Sequence, residues 1–558
     1  MSAPATAEPP AVVAARDDRS GAALAWTVWT LIFVAAAALA LLRAMAVNLP
    51  WHLATARLAQ QTGHWPVVNT FSYTYPDYPI YQQYPAFQAV MWAVFRAAGW
   101  AGLSAATAIG WLAVLALMVR WAGPLRAGAR FHVLWMLALW ALQRRMLLRP
   151  DMFTMLAFGV ELCAYDAFAR GKTRALALVP LAHLLWVNSH GLWPLSLAVQ
   201  GIAIADALAR RDRRAIRLTA AVLAASAALT FATPLGPLLW LAPFRTAQSL
   251  TLFRAEVDEF HRVWTLPHEL ALTLATGVPA AFVFWRTRRT TSAFDAGVWL
   301  LSLIMVLSAV RGLMFFGVVS VAVLQRAVLR AHAAGGRLLP PLGALPRRFL
   351  GVFGLAFTAL AAGGAVYYRW VNPPLGLGGT QPGFGRAVGG WAEAATDFIR
   401  AAPPPGRMLN LNAGLGDAVI FWLPGLPVFV DSRLETYPAD FMRALLAAQS
   451  DDRALAALID RFDPQWLFAT HARPNMRARV ATLLRAGWQP VYVDSAYVIL
   501  VRPTPATLAY RQAHAIDLRR AQPADLVTVP ALRRQQQDDF AAFIGALDPV
   551  SPVNPVSH

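Results

Sequence analysis

The chain has 558 residues, of which 57% are hydrophobic and only 14% charged, where a soluble chain carries about 25% charge. Its mean hydropathy of +0.45 excludes an ordinary water-soluble enzyme. Its formal net charge of +19 lies largely in short stretches between apolar runs, with no soluble basic domain to carry nucleic-acid binding.

Residues 1–22 are rich in Ala and Pro and read as a disordered segment. Apolar segments follow at 23–46, 100–121, 130–147, 152–169, 174–190, 192–210, 215–233, 267–287, 294–309, 312–331 and 348–368, which makes about 11 transmembrane helices within 23–370. The first run is too long for a signal peptide. The 21 tryptophans suit a protein with two membrane interfaces. Cys163 is the one cysteine, so no disulfide forms within the chain.

Five connecting loops, at 120–130, 169–174, 209–217, 285–291 and 326–348, are basic and are expected in the cytoplasm. Parity then puts the N-terminus inside and the faces at 45–99, 147–151, 188–191, 233–266, 309–311 and 369 onward outside. That holds if residues 84–98 lie in the outer interface as an amphipathic helix. Arg144, Arg145 and Arg149 break the charge rule by clustering on the outer side, which invites a functional explanation.

After residue 375 the composition changes. Helices are expected over GGWAEAATDFIRAA, GDAVIFWL, 438–449, 452–462 and 475–487, and strands over RMLNLN, LPVFVDSR, QWLFATH, PVYVDS and YVILVR. This alternation predicts a small extracytoplasmic α/β domain over 375–504, followed by a polar tail at 505–558. The expected fold class is therefore an α-helical polytopic membrane bundle with a C-terminal extracytoplasmic α/β domain. NAGLGD, at 412–417, follows a strand and opens a helix, but it lacks a full phosphate-loop pattern and reads as a tight turn.

The long first loop, 45–99, is dense in Trp, Tyr and His. With its interfacial helix, the many spans and the outer C-terminal domain, it resembles the GT-C superfamily of membrane glycosyltransferases, which includes protein O-mannosyltransferases and lipid A aminoarabinose transferases. WHLATARL, NTFSYTYPDYP, RPDMF, WVNSHG and FVDSRLETY are similar to segments of a bacterial GT-C-like group. The resemblance covers roughly residues 23–500. It implies a multi-pass bacterial inner-membrane protein that transfers a sugar from a polyprenyl-phosphate donor to an extracytoplasmic acceptor: a glycan, a lipid or a protein. It also implies a carboxylate early in the first loop, acting as base or as ligand to a divalent metal.

That early position holds Asn48, and an amide is no general base at neutral pH. The alternative is thus a non-catalytic GT-C-fold protein that binds lipid-linked glycan or assists envelope assembly. Asp77, the one carboxylate in residues 45–99, is either a base or part of a Tyr-Pro-Asp-Tyr-Pro turn. Asp151 either caps the helix it opens or serves in the active site. Glu256 and Glu259, in FRAEVDEFHRVW, are replacement carboxylates or metal ligands, or else a solvated face.

Arg149 and Arg311 are candidates for the donor phosphate, because a guanidinium binds phosphate oxygens bidentately. For Arg311 snorkelling toward headgroups is the other reading. Asn48, His52, Asn188 and His190 are candidate substrate contacts, with turn or interface hydrogen bonds as the plainer alternatives. Glu161, near mid-membrane, marks an ion path in a transporter or a helix-packing contact. Asp431, Ser432, Arg433 and Glu435 bind an acceptor or form a local ion pair.

Overall fold

The computed structural model describes residues 10–44, 48–244, 254, 258–335, 344–371, 381–388, 391–523, 526 and 530–547; Glu256 lies outside the described residues. Six helices among them are long and apolar enough to cross a membrane: Ala22–Ala40, Pro85–Ala122, Asp151–Ala169, Pro267–Thr287, Val310–Ala333 and Gly351–Val371. The chain is a multi-pass membrane protein. The remaining expected spans are helices too, but shorter: His132–Leu142, Thr173–Val187, Pro194–Ala209, Arg213–Leu229 and Ala293–Ser308. At 1.5 Å per residue each falls short of the roughly 20 residues that a full crossing takes. Residues 85–122 form one continuous helical stretch with a break at Gly99, whose φ of 59° and ψ of −152° suit only glycine. The break falls where the sequence separates the interfacial helix from the second span.

The chain divides into two compact units. The first comprises residues 1–42, 105–232 and 253–372. Its centre is the helix Leu313–Ala333, buried along nearly its whole length and packed against His132–Leu142, Pro267–Thr287 and Ala293–Ser308. Residues 313–324 are apolar but for Ser320, so this stretch has no wet face to offer and takes the middle of the bundle. Trp135 is fully buried there and donates its indole N–H to Gln325 Oε1 at 3.0 Å, which satisfies the indole.

The helix Asp151–Ala169 carries a carboxylate at each end of this unit. Asp151 and Asp166 are separated by about 22 Å of helix rise. Between them Glu161 is buried and accepts a 2.5 Å hydrogen bond from Ser196 Oγ; Ser196 also meets His183 Nδ1 at 2.9 Å, and His183 Nε2 lies 3.0 Å from Thr230 Oγ1. This chain of side chains ties four helical segments together, which favours the packing role for Glu161.

The second unit comprises residues 43–104, 233–252 and 373–558. Its sheet has the order β1 (Met408–Leu409), β2 (Trp466–Thr470), β4 (Tyr497–Val501), β3 (Gln489–Val493); β1 runs parallel to β2 and the other pairs are antiparallel. Helices Glu393–Ala401, Ala413–Trp422, Ala439–Ala448, Asp452–Phe462 and Pro474–Arg485 stand where the sequence places them. The tail adds Leu508–His514 and Pro530–Ala546, and Phe543 of the latter stacks on His471 at 4.4 Å.

LPVFVDSR is not a sheet strand. Its Val428 makes a single bridge to Ser72, with Val428 N donating to Phe71 O at 2.9 Å and Val428 O accepting from Tyr73 N at 3.1 Å. The side chain of Asn410 serves as its other neighbour. The amide oxygen accepts from Phe429 N at 3.0 Å and the amide nitrogen donates to Val430 O at 2.8 Å. One buried side chain thus satisfies backbone groups that a strand would otherwise pair. NAGLGD is a capped turn: Asn412 accepts from Leu415 N at 3.2 Å, and Asp417 accepts from both Ser432 N, at 2.9 Å, and Ser432 Oγ, at 2.5 Å.

Candidate active site

A tight connection links His132–Leu142 to Asp151–Ala169. After the single turn Gln143–Arg145, the backbone closes with Leu147 N donating to Arg145 O at 2.7 Å and Arg149 N to Leu147 O at 3.0 Å. The buried Trp111 donates to Leu147 O at 3.0 Å and pins the bend. Three arginines therefore leave one short segment beside the N-terminus of the Asp151–Ala169 helix, where the helix dipole already favours negative charge. On the other side, Val310 N donates to His261 O at 2.8 Å, tying the 258–266 loop to the turn that carries Arg311. Gly312 is required in that turn, since a Cβ there would lie 2.3 Å from the backbone carbon of Met305.

These elements enclose a cavity of about 240 Å³ lined by Arg144, Arg145, Arg149, Arg311, Glu259 and Glu269 over an apolar floor that includes Leu147 and Met314. Asp151 stands behind it, with only 4% of its side chain exposed. The Arg145 guanidinium takes both acids: Nη2 pairs with Asp151 Oδ2 and Nη1 with Glu259 Oε2. Arg149 Nη1 reaches the same Glu259 oxygen at 3.4 Å, and Arg144 pairs with Glu269. His190 Nε2 lies 3.6 Å from Asp151 Oδ1, and its Nδ1 is 2.8 Å from Thr154 Oγ1. Arg311 lies over the Phe260 ring at 5.3 Å. The Nε groups of Arg145 and Arg149 are buried without a hydrogen-bond partner.

Burial works against the charge on Arg145, but Asp151 and Glu259 outweigh it and raise the guanidinium above its usual range. Arg149 is lowered, by burial and then by the charge of Arg145 beside it. Burial resists ionisation of Glu259, yet Arg145 and Arg149 together hold the carboxyl below the usual range. His190 is pushed down to about 4 by burial, against the pull of Asp151. At neutral pH the site therefore holds a neutral imidazole, ionised carboxylates already engaged, and four guanidinia lining the cavity against two carboxylates. Such an excess of donors around a small cavity suits a phosphate, which accepts several charge-assisted hydrogen bonds at once.

The donor set fits a divalent cation poorly. Asp151 and Glu259 share one guanidinium, so a cation bound to both would occupy the space of Arg145. At about 4 Å, with an effective dielectric of about 20, a dication and a guanidinium repel by roughly 8 kcal/mol. Among the described residues no group of three His, Cys, Asp or Glu side chains is arranged to hold a metal.

Asp151, Glu259, Arg149, Arg311 and His190 thus gather in the first unit. Asn188 belongs to that unit but spends its amide on Leu184 O and Ala232 O, both at 3.0 Å, which closes a helix end. Asp77, Asn48 and His52 belong to the second unit. Asp77 is exposed in a turn in which Tyr78 N donates to Tyr75 O at 3.3 Å. His52 is buried, stacked on Trp51 at 3.6 Å and hydrogen-bonded through Nδ1 to Gln88 Nε2 at 3.1 Å. Asn48 occupies the cap position of Leu49–Thr62 without capping it, and its amide oxygen is buried without a partner. Arg57 of WHLATARL donates to Ile420 O and Phe421 O at 3.2 and 3.0 Å, docking that helix on the end of Ala413–Trp422.

Sequence reasoning missed the pairing of Arg144 with Glu269, although the charge-rule violation at 144–149 pointed to this corner. It also missed Asn69, which accepts from Arg433 Nη2 at 2.8 Å. Arg433 forms a bidentate pair with Asp431, at 2.8 and 2.7 Å, and Tyr437 OH donates to the same carboxylate at 2.9 Å. Arg433 also lies over Phe71 at 4.9 Å. NTFSYTY and FVDSRLETY are thus locked to one another, and the Asp431–Arg433 pair is a structural tie of the second unit.

The fold is that of the GT-C membrane glycosyltransferases. It is similar to the crystal structure of the Archaeoglobus fulgidus oligosaccharyltransferase in the apo form, with a TM-score of 0.54 and 13% identity over 83% of this chain and 73% of that one. The same archaeal enzyme, AglB, in complex with an inhibitory peptide and a dolichol-phosphate matches with a TM-score of 0.52 and 12% identity over 83% of this chain and 72% of that one. Its complex with Zn and sulfate matches at 0.51 and 13%, over 84% and 72%. No protein-family model matches the chain, and no curated protein matches it.

Proposed function

We propose that this protein binds a polyprenyl-phosphate-linked sugar at the arginine-lined cavity and transfers the sugar to an extracytoplasmic acceptor. The observation that carries the reading is the cavity itself, in which four guanidinia face two carboxylates at the end of a membrane-spanning helix. Arg149 and Arg311 take the phosphate, and the apolar floor takes the first carbons of the lipid. Asp151, fixed by Arg145 and adjoining the neutral His190, supplies negative charge opposite the anomeric carbon as the glycosidic bond breaks. The fold supports this reading, since one solved relative is an oligosaccharyltransferase described with a dolichol-phosphate. The protein then sits in the bacterial inner membrane, with its N-terminus in the cytoplasm and its C-terminal unit outside.

The test is transfer from labelled polyprenyl-phosphate sugars to envelope extracts by the purified chain. Transfer that drops at least tenfold in Asp151→Asn and in Arg149→Gln, with both proteins folded, supports the reading. Undiminished transfer in both variants sinks the site.

One observation favours a second reading, in which the protein binds lipid-linked glycan without transferring it. Asn48 stands where the resembled enzymes hold an acid, and Asp151 and Glu259 are already paired with Arg145. In that case polyprenyl phosphate binds with the same dependence on Arg149 while no sugar moves.

A further inference from the structure

Arg145 is placed unlike the other cavity arginines. Arg144 has an acid of its own, and Arg149 approaches Glu259 from one side. Among the described residues lining this cavity, Arg145 is the guanidinium that bridges two acids more than a hundred residues apart in sequence, with one Nη on each carboxylate. Its side chain is 12% exposed, and its Nε is buried without a partner, so the fork serves no surface purpose. Two carboxylates converging on one point, here buried Asp151 and half-buried Glu259, are the arrangement in which proteins hold a divalent cation. Here the point is filled by the chain's own planar cation, which matches two carboxylates geometrically and cannot be lost to chelation.

We propose that Arg145 is the resident cation of this site, holding Asp151 and Glu259 in the place of a divalent metal, so that phosphate-ligand binding here is independent of metal. This rests on the reading of the cavity as a phosphate site. It makes Arg145 a positioning residue: it sets the two acids beside the cavity that Arg149 and Arg311 line. Removing the guanidinium leaves buried Asp151 and half-buried Glu259 facing one another, with Arg149 at 3.4 Å from Glu259 as the nearest remaining cation, and opens a place for a divalent cation.

The experiment uses the full chain in detergent and follows Mn2+ by electron paramagnetic resonance. Wild type is expected to take up Mn2+ at least tenfold more weakly than Arg145→Gln. The gained site should vanish when Asp151→Asn and Glu259→Gln are added to Arg145→Gln. Wild-type Mn2+ uptake that is lost in Asp151→Asn overturns the proposal. So does a folded Arg145→Gln protein that takes up no more Mn2+ than wild type. If Arg145→Gln does not fold, the wild-type measurements decide alone: affinity for polyprenyl phosphate should change less than twofold between EDTA and Mn2+, and a tenfold gain with Mn2+ overturns the proposal. Failure of polyprenyl phosphate to bind under any condition would instead strike the phosphate reading, while the Mn2+ measurements still judge the role of Arg145.

Discussion

The two ends of the helix Asp151–Ala169 carry ionic clusters of similar composition and different construction. At the Asp166 end, Arg326 sits between Asp166, at 2.9 Å, and Asp295, at 3.1 Å, and donates to Trp121 O at 2.5 Å; Arg330 holds Asp295 at 2.6 Å and Ser292 Oγ at 3.1 Å. Arg170 and Arg210 pair with Asp166 and Asp206 one helical turn away. Each guanidinium there has an acid, and the cavity beside them, about 130 Å³, is lined by acids as well as arginines. At the Asp151 end Arg145 likewise takes two acids, but its cavity is lined by four guanidinia and two carboxylates, against three and three beside Asp166, which leaves it a surplus of positive charge. The same residue types therefore lock helices together at one end and present donors at the other. What separates the two is how many carboxylates reach the cavity wall.

Deleting an acid at the locked end should cost the most stability. Asp295→Ala removes the acid that Arg330 holds and one of the two that Arg326 holds, and is expected to lower stability by about 3 kcal/mol, read as a fall in melting temperature in detergent. A variant as stable as wild type would break the comparison at its stronger end. Deleting a donor at the open end should spare the fold and remove binding. Arg149→Gln is expected to weaken polyprenyl phosphate binding by about 2 kcal/mol, or roughly thirtyfold, by titration calorimetry, with an unchanged melting temperature.

Acid should loosen the open end first. The folded pKa of His190, about 4, lies below its unfolded value of 6.5, so the unfolded chain binds more protons between those pH values and stability falls as the pH drops through 6.5. The cost is about 2 kcal/mol at pH 5. Glu259, depressed below its ordinary range, loses its contribution at lower pH still, as it protonates in the fold. A melting-temperature profile over pH 5 to 7 that is as steep in His190→Gln as in wild type would rule out this origin. The smallest effect belongs to the rim of the locked end. Arg210 is about half exposed in an i,i+4 pair, so Arg210→Gln should change stability by less than about 0.5 kcal/mol. A loss of several kcal/mol would mean that this rim is as tightly built as Arg326.

Much of the architecture was legible because it is local. Runs such as LMFFGVVSVAVL can only be buried or lie in lipid, and the strands QWLFATH and YVILVR carry the β-branched and aromatic density of a buried sheet. LPVFVDSR has the same density and misled the strand reading, because the partner of its backbone is the side chain of Asn410, some twenty residues earlier. The RPD turn was legible as unusual because its arginines lie where loop charge should be low. WHLATARL was legible as an amphipathic helix, but not as one whose arginine closes the end of a helix more than 360 residues away.

By itself the sequence determined that this is a membrane-embedded helical bundle with an appended α/β unit, since apolar burial is non-directional and follows from composition and period alone. It also placed an arginine-rich corner at the start of the Asp151–Ala169 helix. Only the tertiary structure decided that Arg145 would take both Asp151 and Glu259, and that Arg326 would take both Asp166 and Asp295 at the far end. Ion pairing depends on distance and orientation between side chains whose sequence separation carries no information about either.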